Sequence, residues 1–223
     1  MTVQAIAKNP LPTLRDFAFL KALGRDDLIR KKARERDRRI IGVISPNLTV
    51  LTGPFKGLRY ATLNIKENTL ASKIVGSYES ELHDVVEKIC QTTYRQILDV
   101  GCAEGYYAIG LALRMPHTTV YAFDTDEYSR QICSNMSKLN NVQERVVIKE
   151  ECTCQTLANF DFKEKSLVIA DCEGYEWELF GPNCLNNLRC CDILVELHET
   201  IRPGVTSRIL SLFAPTHYIK VIT

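Results

Sequence analysis

No apolar run in the sequence approaches the roughly 18 residues that a membrane-spanning helix needs. The first twenty residues also lack a continuous hydrophobic core, because Pro10 and Pro12 interrupt them, so no signal peptide is expected and the expected location is cytoplasmic. Net charge is nearly absent, at +1 over 223 residues, and nothing global draws the chain toward nucleic acid or an acidic membrane. A disulfide framework is missing too: the nine cysteines are odd in number and show no framework spacing. Six of them (Cys90, Cys102, Cys133, Cys172, Cys190 and Cys191) lie in apolar or helical contexts and read as reduced small hydrophobes. Cys152-x-Cys154 is the one close pair, and the four histidines do not group around it, which argues against structural zinc. Repeats and low-complexity tracts are absent.

What is there is 45% hydrophobic content, enough for one well-buried core and a modest extension. We expect residues 1–75 to form an N-terminal helical and β extension or cap, and 76–223 to form the main domain. In the extension, Leu14, Phe17, Phe19, Leu20 and Leu23 can cover one face of a first helix that Gly24 ends. Lys21 to Arg39 then carries nine basic against four acidic residues, with Ile29, Ala33 and Ile40 as a thin apolar stripe on a second helix. Ile41 to Ile44 and Leu48 to Leu51 are β-rich and separated by Ser45-Pro46-Asn47, so a small hairpin-like cap is expected there. Leu82, Val85, Val86 and Ile89 follow on a helix that Glu79 and Glu81 open.

From residue 95 strands and helices alternate, which predicts a doubly wound, mostly parallel Rossmann-like sheet. The expected strands are 95–100, 118–123, 145–149, 166–170, 191–197 and 217–222. Helices are expected near 105–115, 126–139, 155–159, 175–180 and 204–213. The centre is Asp99-Val-Gly101-Cys102-Ala103-Glu104-Gly105-Tyr106, where a buried strand turns through glycines into a helix with Tyr107, Leu111 and Leu113 inward. Open α/β sheets bind nucleotide-like ligands at such strand ends. A dinucleotide fits poorly, because the middle glycine of G-x-G-x-x-G is Ala103 here and Glu104 would repel a pyrophosphate.

The D-x-G-x-x-x-G form resembles motif I of the class I S-adenosylmethionine-dependent methyltransferases, whose ligand is a cationic sulfonium without phosphate. The resemblance implies that Asp99, Gly101, Cys102, Ala103, Glu104, Gly105 and Tyr106 bind S-adenosyl-L-methionine. After the second strand, Asp124 is suited to the ribose hydroxyls with Thr125 beside it, or Asp124, Thr125 or Asp126 caps the next helix. Glu151 and Cys152 after the third strand fall where an adenine edge would pass.

The fourth strand ends in Asp171-Cys172-Glu173-Gly174-Tyr175-Glu176 and the fifth in Glu196-Leu197-His198-Glu199. Asp-x-Glu-Gly-x-Glu followed by Glu-x-His resembles the FkbM-type methyltransferases over about residues 76–222, which implies O-methylation of a hydroxyl on a sugar or natural-product-like small molecule. Two departures stand out. Ile169 occupies a position where many members carry lysine, and the chain ends at Thr223 without the seventh strand usual in the class I fold, so an open sheet edge, one covered by a partner or by the N-terminal segment, or a shortened product is expected.

His198 is the expected general base, since imidazole titrates near neutrality, with Asp171 second and also beside the cofactor. Tyr78, Glu173 and Glu196 are expected on the acceptor side. No metal is expected, although Asp171, Glu196 and His198 form an oxygen-rich set with one imidazole that would suit Mg or Mn. The absence of an N-P-P-Y-type tetrapeptide and of a Pro-Cys pair counts against DNA chemistry. RNA or protein methylation through the basic residues 30–39 is the alternative, as is a non-catalytic cofactor-binding scaffold, and a homodimer is left open.

Overall fold

The structure, a computed structural model, describes residues 26–65, 69–163 and 165–222. The expected first helix of residues 14–23 lies outside the described residues. Helix α1 spans Asp26–Ile44 and is followed by α2 (Leu70–Val75), a short 3-10 turn (Ser80–Leu82) and α3 (His83–Gln91). The alternating part then runs β1 (Gln96–Val100), α4 (Tyr106–Arg114), β2 (Thr119–Phe123), α5 (Glu127–Leu139), β3 (Val146–Lys149) and α6 (Cys154–Asn159). It continues through β4 (Ser166–Ala170), α7 (Glu176–Leu179), α8 (Pro182–Leu188), β5 (Cys191–Val195) and α9 (Val205–Phe213).

The five strands pair in the order β3-β2-β1-β4-β5, and each pair is parallel. This is a doubly wound, Rossmann-like parallel sheet. β1 and β4 are buried along their whole length, as strands covered by helices on both faces must be. Asp99 sits in register with Ala122 and Ile169, so the carboxyl ends of β1, β2 and β4 open side by side. One buried cluster joins Ile97 of β1 and Ile109 and Leu111 of α4 to Ile41, Val50, Phe55 and Leu58 of the preceding segment. A second, on the other face, gathers Leu98, Val168, Leu179, Phe180, Val205 and Phe213.

Several expectations are corrected. Residues 41–44 are helical rather than extended: α1 runs on because Ile41, one turn beyond Asp37, is fully buried, and burial outweighs the β preference of the segment. The hairpin-like turn lies instead between Leu48 and Tyr60, where Tyr60 N–H reaches Leu48 O, Val50 N–H reaches Leu58 O, and Thr49 bridges Arg59 antiparallel. Ile40 and Leu113 point outward, because neighbouring positions Ile41 and Leu111 take the inward faces of their helices. Residues 217–222 join no ladder; only the His217 ring reaches β5, through Cys191 O, and Tyr218 and Val221 stand in solvent. β5 stops at Val195, two residues short of expectation, with one further bond from Glu196 N–H to Ala170 O. Helix α8 was not expected, although Pro182 at its first position is a start signal.

Candidate active site

A cavity of about 470 Å³ opens at the carboxyl ends of β1, β2, β3 and β4. Its floor is the turn after β1. Gly101 has φ +85°, and an added Cβ there would lie 1.7 Å from Asp171 O, so this glycine lets the β1 and β4 ends approach each other. Ala103 also has positive φ, +46°, and its N–H donates to Asp124 Oδ2 at 2.8 Å. Cys102 N–H donates to Phe123 O, which ties the same turn to the end of β2.

The sequence-derived residues Asp99, Gly101, Cys102, Ala103, Glu104, Tyr106, Asp124, Thr125, Glu151, Cys152, Asp171, Glu173 and Tyr78 all line this cavity. Gly105 does not: it begins α4 with φ +98°, and the space its Cβ would need is occupied by Cys133 Sγ. The helix cap left open among Asp124, Thr125 and Asp126 falls to Asp126, which accepts from Ser129 N–H and Oγ–H. Asp124 therefore keeps its carboxylate on the turns, accepting Ala103 N–H on one oxygen and Asp126 N–H on the other, with lone pairs left for a diol. Lys73, Tyr107, Phe123, Tyr128 and Ile132 also line the cavity, although no sequence motif assigns them to it.

Asp99 is 3% exposed, and its Oδ2 has no partner among the described residues. Burial first, then the charge of Asp171, pushes its carboxyl up to about 7, while the Ala108 N–H works in the opposite direction. Glu104, also in the lining, pairs with Lys73 Nζ at 2.8 Å and accepts from Tyr60 O–H. The Lys73 ammonium in turn sits over the rings of Tyr78 and Tyr106.

His198 and Glu196 lie just outside the cavity lining and meet it through Asp171. His198 Nε2 is 3.5 Å from Asp171, 3.6 Å from Glu173 and 4.0 Å from Glu196. Its other nitrogen, Nδ1, lies 3.0 Å from Glu176 Oε1, an oxygen that also accepts the N–H groups of Cys172 and Gly174. An oxygen that accepts those bonds makes Nδ1 the donor and leaves Nε2 facing the carboxylates. Glu176, fully buried, was read only as part of a motif; that it orients the imidazole could not be inferred from spacing. Burial first and Glu196 next push Asp171 up to about 7, against the pull of His198. Asp171, Glu196 and His198 can each present one donor atom within 4.8 Å of the others, a geometry open to a divalent cation.

A family model described as the methyltransferase small domain matches residues 80–163, the span that holds Asp99, the 101–106 turn, Asp124, Glu151 and Cys152. No curated protein matches the sequence. Among solved structures, a candidate O-methyltransferase from Klebsiella pneumoniae is similar at 18% identity, covering 91% of this chain and 85% of that one with a TM-score of 0.47. Precorrin-6y C5,15-methyltransferase from Geobacter metallireducens is similar at 11% identity, over 60% of this chain and 72% of that one, with a TM-score of 0.44. A SAM-dependent methyltransferase from Geobacter sulfurreducens in complex with S-adenosyl-L-homocysteine is similar at 10% identity, over 52% and 47%, with a TM-score of 0.40. The matched segment, residues 80–163, is similar to the methyltransferase small domain. The acidic lining of the cavity and the Asp99 oxygen without a partner among the described residues fit S-adenosylmethionine, a ligand bearing a sulfonium and an ammonium.

Proposed function

We propose that the protein methylates a hydroxyl group on a sugar or natural-product-like small molecule, using S-adenosylmethionine. The observation that carries this reading is the imidazole of His198, held by buried Glu176 and facing Asp171 at the rim of the cavity. The FkbM-like Asp171-to-Glu176 and Glu196-to-His198 motifs supply both sides of that arrangement and favour a hydroxyl acceptor. When bound, S-adenosylmethionine supplies an electrophilic methyl group poised for in-line displacement. The chain's residues then have two tasks. The glycine turn, Asp99 and Asp124 fix one reactant, and alignment of this kind can contribute on the order of 7–11 kcal/mol to lowering the barrier. His198 Nε2 would accept the proton of the acceptor hydroxyl, and Glu176 would stabilise the imidazolium through Nδ1–H. Tyr78, Glu173 and Glu196 bound the acceptor side.

Within the same reading, the domain boundary falls near residue 75, with an N-terminal extension or cap before it and the catalytic domain at 76–223. The location is cytoplasmic, in keeping with nine free thiols. Among the described residues no helix is long and apolar enough to cross a membrane.

The test is calorimetric titration with S-adenosylhomocysteine, followed by a methyl-transfer screen on hydroxylated sugars and metabolites. His198→Gln is expected to lower turnover by 100-fold or more, the span of general-base catalysis, with homocysteine-ligand affinity within about twofold of wild type. Unchanged turnover removes His198 from the chemistry. Binding without transfer on any acceptor supports a scaffold instead. Salt-sensitive RNA binding, lost on neutralising Arg34, Arg36, Arg38 and Arg39, would move the acceptor to a polyanion.

A further inference from the structure

Eight acidic side chains line the cavity, and among the described residues Lys73 is the one cationic side chain that does. Its ammonium is not a surface charge that has strayed inward. Lys73 is 3% exposed, Glu104 is 4% exposed, and their atoms meet at 2.8 Å with the Tyr78 and Tyr106 rings against the lysine. A buried ion pair recovers little net stability once desolvation is counted, so stability alone is a weak reason to build one into a cavity wall. The ligand of the proposed reaction supplies a better one, because its methionine end is a zwitterion: one carboxylate and one ammonium on the same carbon. The many carboxylates here can receive the ammonium, but they repel the carboxylate.

We propose that Lys73 receives the α-carboxylate of the cofactor's methionine end, while Glu104 and the partnerless oxygen of Asp99 receive its ammonium. This rests on the methyltransferase reading and deepens it, by assigning amino-acid recognition to a residue of α2, outside the 80–163 segment that the family model matches. The Lys73–Glu104 pair is then a preformed complement in which four charges alternate when the ligand is in place. No ordering of a long side chain is needed at binding, since the lysine is already held by Glu104 and two rings.

The experiment compares S-adenosylhomocysteine with its decarboxylated form, S-adenosyl-3-thiopropylamine, by calorimetry on the full chain. Wild type is expected to bind the carboxylate-bearing ligand at least 10-fold more tightly, the scale of one charge-assisted hydrogen bond. Lys73→Met is expected to bring the two affinities within about twofold of each other. Because Lys73→Met leaves Glu104 buried and unpaired, the Lys73→Met, Glu104→Gln double variant is measured beside it; the ratio of the two ligands cancels any loss of folding common to both, and it is expected to stay within about twofold there as well. Equal affinities in wild type overturn the proposal without any variant. So does a loss in Lys73→Met that is the same for both ligands, which marks a structural role. If wild type binds neither ligand, the methyltransferase reading itself falls, a different result from equal binding of both.

Discussion

At the end of β1 a carboxyl that is 3% exposed is held up to about 7, so Asp99 still carries its proton where free aspartate has lost it. The unfolded chain releases that proton near pH 4 and the folded chain only near 7. Between these values the folded state binds more protons, so this group makes the ligand-free protein less stable as pH rises, by on the order of a few kcal/mol in total. Asp99→Asn is expected to flatten that slope in urea midpoints measured from pH 5 to 8. The same charge has the opposite effect on binding. A ligand ammonium beside Asp99 favours its ionised form, so S-adenosylhomocysteine, through its α-ammonium, should bind more tightly at pH 8 than at pH 6, and proton release should appear as heats that change with the buffer. Sequence alone marked Asp99 through the strand–glycine pattern. It could not give the raised affinity for protons, which comes from burial and from Asp171, a residue of another strand.

Helix α4 meets the N-terminal segment at Gly110, where an added Cβ would fall 2.4 Å from the Phe55 ring. Phe55 in turn stacks edge-on against Tyr106 and Tyr107, with centroids 5.0 and 5.8 Å away, so the ring ties the cap to the cavity wall. In a helix interior Gly→Ala normally gains up to about 1 kcal/mol from propensity, whereas forcing a methyl into a packed site costs about 1–3 kcal/mol. The second effect should win. Gly110→Ala is expected to lower the urea midpoint and, by shifting Tyr106, to weaken S-adenosylhomocysteine binding several-fold; a rise in midpoint would mean that Phe55 does not dock there. Element types in the sheet were legible because a buried strand, a glycine turn and an amphipathic helix leave local patterns. The misread pieces were those in which local preference competed with distant partners. Ile41 to Ile44 look like a strand but continue a helix because Ile41 finds a buried place, and 217–222 have a strand's composition without a ladder to join.

Across the whole molecule, the cluster of Asp171, Glu196 and His198 lets base catalysis be separated from metal catalysis. With His198 as base, turnover is expected to persist in excess EDTA. Loss of turnover that magnesium or manganese restores would make these residues a metal centre and assign His198 Nε2 to the ion. The same scale separates what the chain spells out from what folding assembles. Asp99, Asp124, Glu151 and Asp171 could be found in the sequence because each sits at or just past the carboxyl end of its own strand, and in a parallel sheet right-handed crossovers bring all those strand ends to one rim. Lys73 beside Glu104 and Glu176 beside His198 could not, since the partners are 31 and 22 residues apart and lie on different elements. Periodicity and glycine turns are properties of neighbours along the chain; a buried charge pair exists only once separate segments have excluded water between them, and that the tertiary structure decided.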